Sequence, residues 1–165
     1  MRRCTLILLL LLGWIGPLYA QQPANLALQH DGSQPIQITS DRLDAEHAAR
    51  QVRFFGNVTA RQGDLVIHAR ELIVHLDADQ EIERIEASGA VRLIQGGRVA
   101  TGEKGIYHRL EGRVVLTGSA RIRQGEDFIE GEEITVFLDE ERSIVKGGPD
   151  GTRVNAIFHP RGEGR

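Results

Sequence analysis

The sequence predicts an all-β fold in which short antiparallel strands, supplied by repeats of 29–33 residues, stack into an elongated structure. Three observations lead to this prediction. Landmark residues recur at a nearly constant spacing, apolar and polar residues alternate with the period of two that a strand imposes, and turn signals rich in glycine or aspartate separate the alternating segments.

The repeat is defined by three sets of residues that keep one register. Four glycines lie 33, 29 and 29 residues apart, and four small residues lie 29, 33 and 29 residues apart. Because these landmarks are independent, their agreement indicates about four copies of one unit, of which the last is degenerate. The glycines are Gly56, Gly89, Gly118 and Gly147, the small residues are Ser40, Ala69, Gly102 and Gly131, and the third set comprises Gln62-Gly63, Gln95-Gly96 and Gln124-Gly125.

Each unit is predicted to consist of strands because its apolar residues lie two apart. Alternate side chains of a strand point to opposite faces, so each predicted strand has one apolar face. A single repeat cannot bury that face, and the copies must therefore share an interior. The inward positions around the first three glycines are Val52, Phe54, Val58 and Ala60, then Ile85, Ala87, Val91 and Leu93, then Val114, Leu116, Ala120 and Ile122, with Leu72, Val74, Leu76, Tyr107, Ile134, Val136 and Leu138 in the second halves of the units.

Stacked strands leave an open edge at each end of the structure. An exposed edge can pair with another chain, so end-to-end association of copies is expected. The repeats account for residues 34–158, which we predict to form one domain. The polar, glycine-rich segment 159–165 is predicted to be a disordered tail.

The first 20 residues have the layout of a secretory signal peptide. Arg2 and Arg3 precede an apolar run over residues 6–15, and Gly16-Pro17 ends that run before Ala20. We expect cleavage after Ala20, with residues 21–33 as a flexible lead into the domain. A leucine stands where a small residue usually precedes the cut, so an uncleaved anchor is the alternative, although the run is shorter than the roughly 20 residues that span a bilayer.

Composition excludes several classes of function. Without the signal peptide the chain has no cysteine, which excludes disulfides and thiol chemistry. Removing Arg2 and Arg3 with that peptide leaves 18 basic against 23 acidic residues, a net charge of −5. A nucleic-acid partner needs a basic stripe, and none is present, so no such partner is predicted.

The sequence predicts neither a metal site nor a catalytic one. His75 and His108 occupy equivalent positions beside inward residues, which places them outside, and no histidines and carboxylates converge as metal ligands would. Carboxylate pairs such as Asp77 and Asp79 could serve a glycosidase, but they fall at turns where they are solvated. No nucleophile-elbow serine or phosphate-binding glycine loop occurs. A non-enzyme without cofactors is predicted, with a polysaccharide-cleaving enzyme as the alternative.

Several segments resemble the LptA/OstA family of periplasmic lipopolysaccharide-transport proteins. The resemblance covers about residues 34–158, and the signal peptide agrees with it. It is less decisive among members of the superfamily, because the periplasmic part of LptC and the N-terminal domain of LptD share the fold. The segments are Pro35-Ile36-Gln37-Ile38-Thr39-Ser40-Asp41, Val52-Arg53-Phe54-Phe55-Gly56-Asn57-Val58, Gln62-Gly63-Asp64, Ile67-His68-Ala69-Arg70-Glu71-Leu72 and Val115-Leu116-Thr117-Gly118-Ser119-Ala120.

The resemblance implies a long, slightly twisted β-jellyroll that carries lipopolysaccharide across the periplasm, with the acyl chains of lipid A inside and the sugars outside. It also implies partners: LptC at the inner membrane, the LptD N-terminal domain at the outer membrane, and further copies of the chain joined end to end. The alternatives are an anchored LptC-like component and a structural β-repeat protein that binds no lipid.

The residues expected to contact acyl chains are taken partly from the alternation and partly from the resemblance. Leu93 and Ala60 are smaller than the aromatic residues that the resemblance implies, so a wider cavity is expected there. Alternating apolar residues also suit a closed core, and the pattern alone does not separate a core from a groove. The candidates are Ile36, Ile38, Phe54, Val58, Val91, Leu93, Tyr107 and Leu116.

Overall fold

A computed structural model describes residues 34–138 and 142–160. The predicted signal peptide, the lead 21–33 and residues 161–165 of the predicted tail lie outside these ranges. Within them no residue is helical, so no helix there is long and apolar enough to cross a membrane. The strands are β1 (Gln37–Thr39), β2 (Arg42–Glu46), β3 (Gln51–Gln62), β4 (Leu65–Leu76), β5 (Ile82–Gln95), β6 (Arg98–His108), β7 (Arg113–Gln124), β8 (Asp127–Phe137), β9 (Arg142–Lys146) and β10 (Asn155–Ile157).

All ten strands belong to one antiparallel sheet, which confirms the predicted all-β fold of stacked antiparallel strands. Strands β3 to β8 follow one another in space as they do in the chain, each pairing with the next. At both edges the outermost strand is divided: β1 and β2 pair with different parts of β3, and β9 and β10 pair with different parts of β8. The sheet is therefore a meander whose two edges are open.

A line of β-bulges crosses the sheet and bends the long strands. The pairing register shifts at equivalent places in neighbouring strand pairs, at Gly56, Gly89 and Gly118. These three glycines have φ angles of +73°, +79° and +78°, and the residue after each also has positive φ. Glycine adopts this left-handed backbone most easily, and a Cβ atom at these three positions would collide with the side chains of Asp41, Arg70 and Glu103, so glycine is favoured where the bend begins. We call this line the fold line.

The fourth repeat glycine, Gly147, marks the same level in a different way. It follows the end of β9, and the chain leaves the sheet over residues 147–154 before β10 resumes the pairing with β8. At the opposite edge, Asp41 lies between β1 and β2, and its N–H points to the carbonyl oxygens of Phe55 and Gly56 at 3.1 and 3.0 Å. The last repeat is thus degenerate, as predicted, because an eight-residue loop replaces its bulge.

The fold line divides the sheet into two leaves that face each other. The first leaf comprises residues 37–39, 58–69, 91–102, 120–131 and 155–157, and the second comprises residues 42–55, 71–88, 104–117, 133–138 and 142–146. Each of the two buried clusters combines residues from both leaves. One joins Leu93 and Ile122 to Leu116 and Ile134, so the core lies between the leaves.

Candidate lipid-binding interior

The inner surface of each leaf is made of apolar residues that lie in register across the sheet. Because alternate residues of a strand share a face, matched positions on paired strands form continuous rows. One row crosses the first leaf and two cross the second. The first-leaf row is Ile38, Ala60, Ile67, Leu93, Ala100, Ile122, Ile129 and Ala156; the second-leaf rows are Leu43, Phe54, Leu72, Ala87, Gly105, Leu116, Ile134 and Val145, and Ala45, Val52, Val74, Ile85, Tyr107, Val114, Val136 and Ser143.

Small residues interrupt one of the two second-leaf rows, the one that contains Leu72 and Leu116, at its centre. Ala87 and Gly105 stand side by side between Leu72 and Leu116, where larger side chains would fill the space between the leaves. A Cβ atom at Gly105 would lie 3.2 Å from Leu116 Cδ2 and 3.4 Å from Val91 Cγ1. Gly105 therefore lies between side chains of the two leaves and leaves room beside them.

That room forms a partly open cavity of about 70 Å³ between the leaves, and its lining reaches the strand ends away from the fold line at Gln62, Leu65 and Gln95. One water position needs about 10–15 Å³, so the cavity has space for about five of them, or for a short stretch of hydrocarbon. The lining is almost entirely apolar. It consists of Ile36, Ile38, Ala60, Arg61, Gln62, Leu65, Ile67, Leu72, Ile85, Ala87, Val91, Leu93, Gln95, Gly105, Tyr107, Val114 and Leu138.

The interior nearer to β8 is closed instead of open. Leu116, Ile122, Ile134 and Val136 have exposed fractions of 0–1% and belong to one cluster. None of these four side chains lines the cavity, and they pack against one another as in an ordinary protein core. The structure thus combines the two possibilities that the sequence left open: a cavity beside β1 to β7 and a closed core towards β8.

The eight residues predicted to contact acyl chains fall into two groups. Five line the cavity: Ile36, Ile38, Val91, Leu93 and Tyr107. The other three, Phe54, Val58 and Leu116, point inward as the alternation predicted and pack in the buried clusters, but they are not part of the cavity lining. Leu93 and Ala60 do lie at the cavity, where their small size was expected to widen it.

Two kinds of lining residue are not evident from the alternation of apolar and polar residues. Gly105 has no side chain, so a hydropathy pattern cannot assign it to a face. Gln62 and Gln95 belong to the repeated Gln-Gly pairs, which were recognised only as turn signals. A signal for them was available, because each lies two residues beyond an inward apolar position, Ala60 or Leu93, on the same strand.

The outer surface of the leaves carries many ionisable side chains. His75 lies on this surface beside Gln51 and Arg84, and its Nε2 is 3.0 Å from Glu86 Oε1, which confirms its predicted place outside. Among residues 34–138 and 142–160, no three histidine, cysteine or carboxylate side chains are grouped as metal ligands.

Several outer carboxylates are held in the charged state. A hydrogen bond from Arg113 lowers the pKa of Glu111, and hydrogen bonds from Asn155 and then Arg121 lower the pKa of Glu130. A general acid needs a raised pKa instead. These side chains therefore suit a solvated surface.

A two-leaved antiparallel β-sheet around an apolar interior is the structure of a β-jellyroll, and the protein belongs to that class. The model of a family described as "LptA/(LptD N-terminal domain) LPS transport protein" matches residues 37–142. The match covers more than half of the chain. The chain therefore belongs to this family of lipopolysaccharide-transport proteins, as the resemblance had implied.

Individual relatives agree with the family match. The chain is 33% identical over 121 residues to an uncharacterized protein of Rhizobium meliloti (strain 1021), covering 68% of this chain and 65% of that protein. It is 31% identical over 150 residues to the lipopolysaccharide export system protein LptA of Escherichia coli (strain K12), covering 87% and 80%. LptA of Haemophilus influenzae is 29% identical over 143 residues.

A solved structure shows the same fold. It is the crystal structure of LptH, described as the LptA-homologous periplasmic component of the lipopolysaccharide transport device of Pseudomonas aeruginosa. It superposes with a TM-score of 0.69 at 19% identity and covers 77% of this chain and 96% of LptH. At that identity the similarity concerns the fold, and it confirms the predicted β-jellyroll.

Proposed function

We propose that this protein carries lipopolysaccharide across the periplasm by holding the acyl chains of lipid A between its two leaves. One observation carries the proposal. Apolar side chains lie in register across the inner face from β1 to β10. This face encloses a cavity whose apolar lining includes Leu93 and Tyr107. Membership in the transport family supports it.

The energetics favour such a carrier without a catalytic step. Each buried CH₂ group contributes roughly 0.8 kcal/mol, so exposing one long acyl chain to water costs on the order of 10 kcal/mol. A lipid with several chains therefore needs a continuous apolar cover to cross an aqueous compartment. The net charge of −5 for the chain after residue 20 gives no overall attraction for lipid phosphates, so acyl burial is expected to dominate the affinity.

The cavity is smaller than an acyl chain, so the leaves must separate when lipid enters. Strand pairing runs within each leaf, and side-chain packing joins the leaves across the interior in the part of the chain that the structure describes. Opening them about the fold line breaks no ladder hydrogen bonds. The apolar surface that is exposed on opening is covered again by the acyl chain, so the two processes offset each other.

The open edges support a role as a bridge. The edge at β1 and β2 exposes Ile36 and Leu43, and the edge at β9 and β10 exposes Ile144, Ile157 and Phe158. Apolar side chains beside unpaired strand backbone suit pairing with another sheet. Copies of the chain joined end to end, LptC at the inner membrane and the N-terminal domain of LptD at the outer membrane are the proposed partners.

Site-specific photo-crosslinking in living cells tests the proposal. One photoreactive amino acid replaces Leu93, which is 3% exposed in the cavity lining, and a matched control replaces its neighbour Arg92, which is exposed on the outer face. A lipopolysaccharide adduct at position 93 and none at position 92 is the expected result. Adducts at neither position, with both variants folded and exported, would refute the carrier function.

The alternatives predict other results. The closed packing near β8 favours, as a second candidate, a structural repeat protein, and such a protein would purify without lipid. An anchored LptC-like component would retain residues 1–20, whereas the mass of the exported protein is expected to correspond to a start at Gln21. An enzyme acting through surface carboxylates would lose activity on substitution of Asp77 or Asp79, whereas a carrier tolerates changes there.

A further inference from the structure

The inner face of the first leaf has a polar row at its outermost level. Two residues beyond the apolar row of that leaf, the strand ends place six residues in register: Gln62, Leu65, Gln95, Arg98, Gln124 and Asp127. Residues two apart on a strand share a face, so this row lies on the same side as Ala60, Leu93 and Ile122. It borders the opening between the leaves, and Gln62 and Gln95 line the cavity itself.

The hairpin turns explain the glycine of each Gln-Gly pair but not the glutamine. Gly63, Gly96 and Gly125 have φ angles of +57°, +54° and +62°, a backbone that favours glycine at the first turn position. The residue before the turn is an ordinary strand residue. At the tips of the second leaf the corresponding positions hold unrelated residues, namely Glu46, Leu76, His108 and Phe137.

The glutamine side chains are held at the opening. Gln95 is only 8% exposed, and its Nε2 donates to Asp64 Oδ1 at 3.1 Å. Arg98 Nε donates to Gln124 Oε1 at 3.2 Å. Gln62 Nε2 donates to the carbonyl oxygen of residue 34 at 2.8 Å. Carboxamides placed in this way can donate and accept hydrogen bonds at the boundary between the apolar interior and solvent.

We propose that Gln62, Gln95 and Gln124 bind the polar junction of the cargo, where its acyl chains join amide and hydroxyl groups of the sugar headgroup. The proposal rests on the proposed function and specifies which part of the lipid the opening recognises. Asp127 belongs to the row and Asp64 lies beside it, and these two negative charges balance the positive charge of Arg98, so the row suits neutral donors and acceptors better than phosphate.

The spacing of the row gives it a role in movement along the protein. The three glutamines lie on alternate strands, β3, β5 and β7, which places successive ones about 9.6 Å apart at the usual strand spacing. A lipid that moves from β1 towards β10 meets the same carboxamide at each repeat. Equivalent positions bind with similar strength, so the junction passes along the row without one dominant energy minimum.

The proposal is tested by measuring the affinity of the purified protein for two ligands. One is lipopolysaccharide, and the other is a fluorescent fatty acid that lacks the headgroup. Gln95→Leu keeps the size of the side chain and removes the amide, and its partner Asp64 is exposed and stays solvated. The expected result is about five-fold weaker binding of lipopolysaccharide, the value of one hydrogen bond, with unchanged binding of the fatty acid. Gln51→Leu, on the outer face beside His75, is the matched control and changes neither affinity.

Two outcomes would overturn the proposal. Equal weakening for both ligands would mean that Gln95→Leu disturbs the cavity, and undiminished lipopolysaccharide binding in the double variant Gln62→Leu and Gln95→Leu would mean that the amides make no contact. Thermal unfolding of each variant identifies a folding defect. Failure of the proposed function looks different, because the wild-type protein would then bind neither ligand.

Discussion

Filling the cavity should stabilise the protein while it weakens lipid binding, and Ala87→Leu is the substitution that tests this. Ala87 lines the cavity and stands in the second-leaf row between Leu72 and Gly105. Leucine already occupies three other positions of that row, Leu43, Leu72 and Leu116. The larger side chain therefore enters the space in which we propose that the acyl chain lies.

The magnitudes follow from the cavity volume. Mutational studies of protein cores give about 24 cal/mol per Å³ of cavity, so filling 70 Å³ is worth at most about 1.7 kcal/mol. For a domain of this size that raises Tm by roughly 5 °C. Leucine adds three carbon atoms and excludes about three CH₂ groups of lipid, about 2.4 kcal/mol, which corresponds to roughly 50-fold weaker binding.

The assay combines thermal unfolding with displacement of a fluorescent lipid. Ala120→Leu is the contrasting variant, because Ala120 is fully buried in the closed region and does not line the cavity. Overpacking at Ala120 should lower the free energy of unfolding by about 1–3 kcal/mol, whereas filling the cavity at Ala87 should raise it. If Ala87→Leu raised Tm and left lipid affinity unchanged, the cavity would not be the acyl site. If it destabilised as much as Ala120→Leu, the space between the leaves would be less than the structure shows.

The remaining predictions concern the bend and the edge of the sheet. In urea unfolding, Gly118→Ala should lower the free energy of unfolding by about 1–3 kcal/mol more than Gly96→Ala does. Both glycines have positive φ, but only at Gly118 would the new Cβ meet a side chain, 2.6 Å from Glu103 Cβ. Equal losses of stability would contradict tight packing at the fold line. Hydrogen bonds from Asn155 and then Arg121 lower the pKa of Glu130 below its ordinary 4.5, so the ionised carboxylate secures β10 above that pH, and its contribution is lost as the pH falls through the lowered value. NMR signals of β10 should therefore shift in that acid range, and an unchanged spectrum in acid would contradict this role.

The sequence predicted the facing of the strands but not their length. Alternation indicated short strands on either side of each repeat glycine, whereas β3 to β8 run through the bend as continuous strands of 11–14 residues. The reason is physical: a bulge interrupts the ladder locally and bends the strand, but pairing resumes beyond it with the same faces inward. The alternation of apolar and polar residues shows where the strand pattern is interrupted, but it cannot distinguish a bend within a strand from the end of a strand.

The position of the cavity could not be predicted because it depends on contacts between the leaves. Which inward residues meet across the interior is decided by the angle at the fold line, and local patterning carries no information on that angle. Leu116 and Leu93 have the same alternation, yet only Leu93 lines the cavity. The cavity also depends on Gly105, because this residue has no side chain to fill the space beside it.

A carrier of this design has to be closed when empty and able to open when lipid arrives, and the fold provides for both. Backbone pairing, which is strong and directional, holds each leaf together along the strands, whereas apolar packing, which is non-directional, holds the leaves to each other. Because apolar contacts do not depend on particular partners, an acyl chain can replace a facing leaf at little cost. Specific polar contacts between the leaves would oppose this exchange, so recognition of the headgroup is expected at the opening, where Gln62 and Gln95 lie.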